Sequence, residues 1–241
     1  SPSDRGSQEG QEPKIAISDY QIVPVPFIAE GDVAFKGATE VVLENADKEA
    51  LIYYSLNKDD FKLYDNSFTI SEPATLEVYS EKNEKQSAHI TTQFYKIDPN
   101  VSIQLDTEFA NQYNGGGDNA LIDGIYGTQD FRTGTWQGYF DIDLIATLDL
   151  GSEKKINSVT VNFLQDQRSW IFYPTEVMCF GSNDGVQFYE IADPFKINAT
   201  IPSEDSKIKT LEFKKTNSKF RYIKIIAKKL GALPEWHLGH P

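Results

Sequence analysis

Residues 113–138 read YNGGGDNALIDGIYGTQDFRTGTWQG, a stretch rich in glycine that carries several aspartates. It is too long for a hairpin turn and too polar for a core strand, and loops of this length inside a domain are more often functional than idle. Glycine permits positive φ, so carbonyl oxygens can converge with an aspartate on a hard cation such as Ca²⁺. Arg132 and Trp136 add a hydrogen-bonding fork and a flat apolar face, which suit a sugar. The sequence therefore indicates a functional loop at residues 113–138.

The composition excludes some classes of function. Of the 241 residues, 36 are Asp or Glu and 23 are Lys or Arg, so the formal net charge is -13. Nucleic-acid binding is not expected, because neutralising phosphates requires a basic surface. Membrane insertion is not expected either, since the sequence has no apolar run of membrane-spanning length. Plentiful aromatic and β-branched residues predict an all-β chain. Cys179, the only cysteine, lies in an apolar run and is predicted to be a buried, unreactive thiol.

The chain divides into a linker and two predicted β domains. Residues 1–13, rich in Ser, Gly, Gln, Glu and Pro, are predicted to be a disordered linker. The chain begins without Met, and we expect it to be a piece of a longer or processed protein. Residues 14–97 have short alternating segments with turn signals between them, which predicts a small β-sandwich. A short boundary (IDPN, 97–100) leads into the second domain, residues 98–241.

Alternating side chains and flanking turn residues predict the strands of both domains. In the first domain we predict an edge segment at 25–30 and strands at 39–44, 51–55, 68–70, 75–79 and 88–94. In the second domain we predict strands at 144–150, 156–164, 175–180, 188–191, 208–213 and 219–227, which together make a jelly roll. We expect residues 144–150 and 156–164 to pair with each other as central strands.

The second domain resembles a known family. Its motifs are NALIDG (119–124), Thr128, Trp136 and ATLDLG (146–151), followed by VTVNF (159–163), YPTEV (173–177), GSNDG (181–185) and FRYIKI (220–225). In this order and spacing they resemble the coagulation factor V/VIII type C, or discoidin, domain, also called carbohydrate-binding module family 32. The resemblance covers residues 98–241 and implies a galactose-binding-like β-sandwich jelly roll. The family usually has one more strand, so we expect either further chain or an edge that is closed in another way.

The first domain has a weaker resemblance. Residues 37–39 (GAT), 52–55 (IYYS), 63–64 (LY) and 74–76 (ATL) resemble the chitobiase/β-hexosaminidase C-terminal domain. The resemblance implies an immunoglobulin- or fibronectin-like sandwich that is normally non-catalytic. The family's Tyr-Tyr-Thr, Asp-Gly and Pro pattern is replaced here by SLNKDD (55–60), so this turn departs from it.

The discoidin resemblance implies a structural Ca²⁺ site. Asp123 and Thr128 would supply side-chain oxygens, and Ala120 and Ile125 would supply backbone carbonyls. The alternative is that Asp123-Gly124 is only a tight turn in which the aspartate caps backbone amides.

The resemblance also implies a shallow, loop-lined site for terminal sugars, and three loops offer suitable groups: 131–136, 165–170 (QDQRSW) and 233–237 (LPEWH). We expect Arg168 and Asp166 to bind hydroxyls and Trp170 or Trp236 to be the stacking platform. Alternatively the tryptophans belong to the core and Arg168 to a structural salt bridge. The predicted carbohydrate-binding residues are Trp136, Asp166, Arg168, Trp170, Trp236 and His237.

Two such domains in this order resemble the tail of bacterial exo-glycosidases. The expected function is therefore non-catalytic carbohydrate binding in the C-terminal region of a secreted, periplasmic or cell-surface glycoside hydrolase of the β-N-acetylhexosaminidase type. Glycans with terminal galactose or N-acetylhexosamine and the catalytic domain of the same chain would be its partners. The alternative is an architectural pair without a ligand site. A third interpretation, loops that contact protein or lipid, needs exposed apolar side chains, whereas these loops are mostly polar.

Overall fold

The computed structural model describes residues 22–240, except for the side chains of residues 215–217. The predicted linker at 1–13 and the first residues of the first predicted domain, 14–21, lie outside the described residues. The described chain consists of strands, short 3₁₀ helices and loops without an α-helix, which confirms the all-β prediction. No helix in this part of the chain is long and apolar enough to cross a membrane.

The first nine strands form a two-layered sandwich. They are β1 (Phe27–Glu30), β2 (Ala34–Phe35), β3 (Thr39–Glu44), β4 (Leu51–Leu56), β5 (Lys62–Leu63), β6 (Phe68–Ile70), β7 (Ala74–Lys82), β8 (Lys85–Gln86) and β9 (Ile90–Lys96). One sheet has the order β1-β3-β6, and the other has the order β2-β9-β7-β4-β5 with β8 added to β7. Burial alternates along β3, so Val41 and Leu43 pack against Leu76 and Phe94 of the second sheet. The segment at 25–30 contributes an edge strand, as predicted.

The second group of strands forms one six-stranded sheet. Its members are β10 (Ser102–Leu105), β11 (Leu144–Gln165), β12 (Glu176–Ser182), β13 (Tyr189–Glu190), β14 (Phe195–Lys196) and β15 (Lys207–Lys228). The order is β10-β11-β15-β12-β13, with β14 paired to β12. Val177 and Cys179 of β12 pack with Ile223 and Ile225 of β15 in the core. Burial raises the pKa of the Cys179 thiol to about 12, in agreement with the predicted buried, unreactive cysteine.

The pairing predicted for the central strands is wrong. Residues 144–150 and 156–164 do not pair with each other, because they are successive parts of β11, and each part pairs with β15. The predicted strands at 208–213 and 219–227 are likewise successive parts of β15. Register shifts between Asp149 and Lys154 and between Ile156 and Ser158 let this long ribbon bend without ending.

The two groups of strands are joined closely at residues 97–101, between β9 and β10. The Asp98 carbonyl accepts from Val101 N (3.0 Å), and Lys36 Nζ donates to the Val101 carbonyl (3.3 Å). The Tyr95 ring of β9 lies against Gly124 in the glycine-rich stretch, where a Cβ atom would be 3.1 Å from the ring. The glycine-rich stretch is therefore packed directly against the first sandwich.

Candidate functional site

The glycine-rich stretch lies between β10 and β11 and contains no strand. Together with the residues immediately before it, it includes three short 3₁₀ helices, Asn111–Tyr113, Ala120–Ile122 and Phe131–Thr133. Its ends are held together by hydrogen bonds from Ala110 N to the Gly138 carbonyl (2.8 Å) and from Gly138 N to the Tyr113 carbonyl (2.9 Å). The stretch is therefore an ordered loop with its own hydrogen bonding, as functional loops of this length usually are.

The predicted cation residues divide into two sets of contacts. Asp123 is 7% exposed, its Oδ1 accepts from Ile125 N (2.7 Å), and burial raises the pKa of its carboxyl group. A Cβ atom on Gly116 would be 3.7 Å from Asp123 Oδ2. Thr128 Oγ1, in contrast, donates to the Asp130 carbonyl (3.0 Å) and accepts from Asp130 N (3.2 Å).

Of the two predicted side-chain ligands of Ca²⁺, Asp123 has contacts that suit a cation ligand and Thr128 does not. Asp123 is a buried carboxylate with an oxygen facing glycine backbone, whereas the Thr128 hydroxyl is used within its own turn. In residues 22–240, no three His, Cys, Asp or Glu side chains form a metal-binding group. Since Ca²⁺ takes about six to eight oxygens, the carbonyls of Ala120 and Ile125 and water would have to supply most of them. Calcium at this loop stays a prediction.

A second set of predicted residues lies in the turn after β11. Asp166 and Ile171 form an isolated bridge with hydrogen bonds in both directions (2.9 and 3.0 Å), and a 3₁₀ helix, Gln167–Ser169, lies between them. Trp170 ends that helix in the left-handed region, with φ 65°, and its side chain is 60% exposed. This conformation is rare for a bulky residue and costs about 1–3 kcal/mol. The turn therefore displays a tryptophan at the surface at the expense of backbone strain.

The chain end described by the structure packs against this turn. Trp236 is 44% exposed and donates from Nε1 to the Thr200 carbonyl (2.9 Å). His237 is 8% exposed; its Nε2 bonds to the Gln167 carbonyl (2.9 Å) and its Nδ1 accepts from Gly239 N (3.1 Å). The partners fix the neutral tautomer with the proton on Nε2, because a carbonyl only accepts and an amide only donates. We call residues 166–172, 198–203 and 234–240 the rim.

His237 is the buried centre of an aromatic cluster within the rim. Its ring makes edge-to-face contacts with Trp170 (5.1 Å between centroids), Phe172 (5.2 Å) and Trp236 (5.7 Å). Both ring nitrogens are used within the chain, so in this conformation His237 supports the two tryptophans from below and offers no free nitrogen to a ligand. The structure thus brings Trp170, Trp236 and His237 together.

Asp166 and Arg168 differ in exposure. Asp166 is 8% exposed; its Oδ2 accepts from Ser169 Oγ (3.0 Å), while its buried Oδ1 has no hydrogen-bond partner among the described residues. That oxygen is closed off from the surface, so a hydroxyl reaches it only if the turn shifts. Arg168 is exposed and, within residues 22–240, makes no ion pair or hydrogen bond, whereas Arg132 and Arg221 are paired with aspartates. Its part in ligand binding stays a prediction.

Trp136, the remaining predicted sugar residue, has different neighbours. Its half-buried ring covers Gly127, and its Nε1 donates to the Thr128 carbonyl (2.7 Å). The glycine-rich loop reaches the segment between the rim and β15 through a hydrogen bond from Ser206 Oγ to the Gln129 carbonyl (2.5 Å). The contacts of Trp136 thus lie within the glycine-rich loop, and the aromatic cluster around His237 does not include it.

The structure adds residues that the sequence did not indicate. Gln167 is 2% exposed and bonds to the 198–203 segment, and Phe172 completes the aromatic cluster. Ile201 (59%) and Leu238 (102%) are highly exposed, so the rim is more apolar than its mostly polar loops indicated. Nothing local marks Gln167, because its partners are more than thirty positions away.

Several known proteins and one protein family are similar to this chain. The C-terminal domain of a chitobiase from Bacteroides fragilis is 20% identical, with 59% of this chain and 86% of that chain covered and a TM-score of 0.36. CpGH89CBM32-5 from Clostridium perfringens, solved in complex with GalNAc-β-1,3-galactose, is 22% identical, with 54% and 85% covered and a TM-score of 0.35. A serum fucolectin from Morone saxatilis (striped bass) is 12% identical, with 86% and 78% covered and a TM-score of 0.35. Similarities this weak say nothing about what this chain binds.

Among curated proteins none matches this chain. The family described as F5/8 type C domain matches residues 102–239, which is more than half of the 241 residues. These residues extend from β10 to the rim and include both sets of predicted site residues. The chain belongs to the F5/8 type C domain family.

Proposed function

We propose that this chain binds carbohydrate without catalysing a reaction, and that the rim is the binding surface. The observation that carries the proposal is Trp170, a large aromatic side chain that is 60% exposed and held in a strained left-handed conformation. Strain of this kind persists only where the surroundings enforce it, and it is concentrated at functional sites. An exposed aromatic face suits the C–H face of a sugar ring.

The neighbouring groups supply complementary chemistry. Arg168 has several N–H donors and no partner in the described chain, so it can donate to sugar hydroxyls. Trp236 offers a second, partly exposed indole, and Asp166 becomes a hydroxyl acceptor if the turn shifts. A shallow surface buries little of a monosaccharide, so we expect affinities in the millimolar range.

The wider role follows as part of the same proposal. The chain would be an ancillary region of a bacterial glycoside hydrolase of the β-N-acetylhexosaminidase type that acts in the periplasm, on the cell surface or outside the cell. The first sandwich would be a spacer, and the short connection at 97–101 together with the Tyr95–Gly124 contact supports a fixed arrangement of spacer and glycine-rich loop. Holding a catalytic domain near glycans raises the effective concentration of its substrate.

The binding proposal is tested by titrating the chain with galactose, N-acetylgalactosamine and N-acetylglucosamine and measuring heat or chemical-shift changes. We expect a saturable response to at least one sugar, and its loss in Trp170→Ala. Tyr189→Ala is the matched control, because Tyr189 is a similarly exposed aromatic (63%) on β13, outside the rim. A flat response to a broad glycan panel, or equal losses in both variants, would contradict the proposal.

The ancillary role is tested in the longer protein by deleting residues 98–241. If the region binds glycans, activity on polymer falls while activity on a small chromogenic substrate is kept. If instead the deletion prevents folding of the catalytic domain, the region is architectural, and the rim has no part in substrate recruitment.

A further inference from the structure

Gln167 is a buried amide whose hydrogen-bonding groups are all used. Its side-chain Nε2 donates to the carbonyls of Ile201 (2.9 Å) and Ala199 (3.5 Å), and its Oε1 accepts from Ser203 N (2.6 Å). The identity of its side-chain O and N atoms follows from the partners, since two are carbonyls and one is an amide N–H. The Gln167 side chain therefore holds the backbone of the 198–203 segment at three residues.

This segment supports Trp236. The carbonyls held by Gln167 belong to residues 199 and 201, and the carbonyl between them, on Thr200, accepts from Trp236 Nε1 (2.9 Å). The Thr200 carbonyl therefore lies between two carbonyls that Gln167 holds, while the Asn198 side chain accepts from Thr200 N (3.4 Å) and Thr200 Oγ1 (2.8 Å). The Gln167 side chain thus takes part in holding the backbone to which the Trp236 indole is bonded.

The other tryptophan depends on a different atom of the same residue. The Gln167 main-chain carbonyl accepts from Trp170 N (3.1 Å) and from His237 Nε2 (2.9 Å). These bonds do not involve the side chain, so a substitution at position 167 keeps them available. The Gln167 side chain therefore holds the segment that bonds to Trp236, and the Gln167 main-chain carbonyl bonds to Trp170 and His237.

We propose that Gln167 is a positioning residue of the rim, which orients Trp236 for the ligand through the 199–201 backbone without touching the ligand itself. The proposal rests on the proposed function only for its effect on binding; its structural part stands independently. Loss of the amide donors leaves two carbonyls without their partner, so the 198–203 segment and the indole bonded to it are no longer held in one arrangement.

The substitution that tests the proposal is Gln167→Glu, which keeps the shape and the acceptor for Ser203 N but, as a carboxylate, cannot donate to the carbonyls of Ala199 and Ile201. Gln167→Met is a second variant, of similar length and without charge, in case the buried carboxylate prevents folding. Gln187→Glu adds the same charge at Gln187, whose Oε1 only accepts from Tyr189 Oη, and is the control.

The first readout is the indole N–H spectrum of the free protein. The chain has three tryptophans, so three resonances are expected, and each is assigned with a Trp→Phe variant. In Gln167→Glu or Gln167→Met we expect the Trp236 resonance to move or broaden and the Trp136 resonance to stay. An unmoved Trp236 resonance in a folded variant overturns the proposal, whether or not any sugar binds.

The second readout is a double-mutant cycle with Trp236→Ala and whichever sugar binds the wild type. We expect Gln167→Glu to weaken binding about tenfold in the wild-type background, the order expected when buried polar groups lose a partner. In the Trp236→Ala background the same substitution should change the affinity by less than about twofold. Equal losses in both backgrounds would mean that Gln167 does not act through Trp236. If no sugar binds the wild type, the proposed function fails, and the indole spectrum decides this proposal alone.

Discussion

Gly239→Ala displaces Trp170 without altering the tryptophan itself. A Cβ atom on Gly239 would lie 2.1 Å from Cη2 and 2.4 Å from Cζ3 of the Trp170 ring. Carbon atoms in contact are normally about 3.5–4.0 Å apart, so the ring edge must retreat by about 1.4–1.9 Å. Gly239 does not have a positive φ, so alanine adds no backbone strain of that kind. The substitution therefore moves the predicted stacking platform and little else.

The expected magnitudes separate binding from stability. Trp170 is 60% exposed and can swing outward, so we expect the free energy of unfolding to fall by less than about 1 kcal/mol. An aromatic contact contributes about 0.5–1.5 kcal/mol, so its loss weakens sugar binding about two- to twelvefold. Titration calorimetry with the best sugar of the panel measures the affinity, and urea unfolding measures the stability.

Gly181→Ala is the matched control. A Cβ atom there would lie 2.5 Å from the Phe220 ring, which packs against the core formed by β12 and β15 and not in the rim. We expect this overpacking to cost about 1–3 kcal/mol of stability and to leave the sugar affinity unchanged. The reasoning is refuted if Gly239→Ala shifts the Trp170 indole resonance and yet binds the sugar as the wild type does.

Three further predictions concern the rest of the chain. Calcium should raise the Tm of the wild type by about 2–4 °C for each kcal/mol of binding energy, and should not raise the Tm of Asp123→Asn. Asp118→Asn, which changes an exposed aspartate in the same loop, is the control and should keep the increase in Tm. An unchanged wild-type Tm, measured with calcium and with EDTA, would argue against the cation. The Arg221 guanidinium donates to both oxygens of Asp149 (2.9 Å each) and holds the pKa of that carboxyl group below its usual value of about 3.9. The ion pair therefore stabilises the fold fully above about pH 3.9, and this stabilisation is lost as the pH falls through the lower folded-state pKa. Asp149→Asn should thus cost about 0.5–1 kcal/mol at pH 7 and progressively less as the pH is lowered through the folded-state pKa, as measured by urea unfolding at each pH. Because burial raises the pKa of Cys179 to about 12, iodoacetamide at about pH 8 should modify it only after unfolding, and mass spectrometry that finds it modified in the native protein would contradict its burial.

The local sequence pattern predicts some strands correctly, such as β3, and fails for others, such as β11. In β3 every second side chain of residues 39–44 is buried, so the sequence alternates and the strand is predicted with its correct ends. In β11, Gly151 and the polar residues after it look like a turn, and residues 150–153 have no partner in β15. Pairing with β15 resumes at Lys154, so the strand continues past them. Partnership of this kind is set by residues more than forty positions away, which no local window includes.

The same distinction applies to the rim. The sequence predicts that residues 165–170 belong to the site, because a polar turn with Arg168 and Trp170 differs from an ordinary hairpin, and this signal is local. The burial of His237 has no local signal, because it depends on the Gln167 carbonyl seventy positions earlier. Asp166 was expected among the hydroxyl partners, and its burial could not be read from its neighbours in the sequence.

The ribbon of β11 and β15 makes the order of synthesis matter. β11 leaves the ribosome while β12, β13 and β14 are still being made, and its hydrogen-bonding partner β15 comes last. Until then 22 residues of strand have an unpaired edge facing β15's future position, the kind of surface that attracts other chains. The nascent second domain is therefore most prone to aggregate in the interval before residues 207–228 emerge. A premature stop in that interval would yield an aggregation-prone fragment instead of a smaller sandwich.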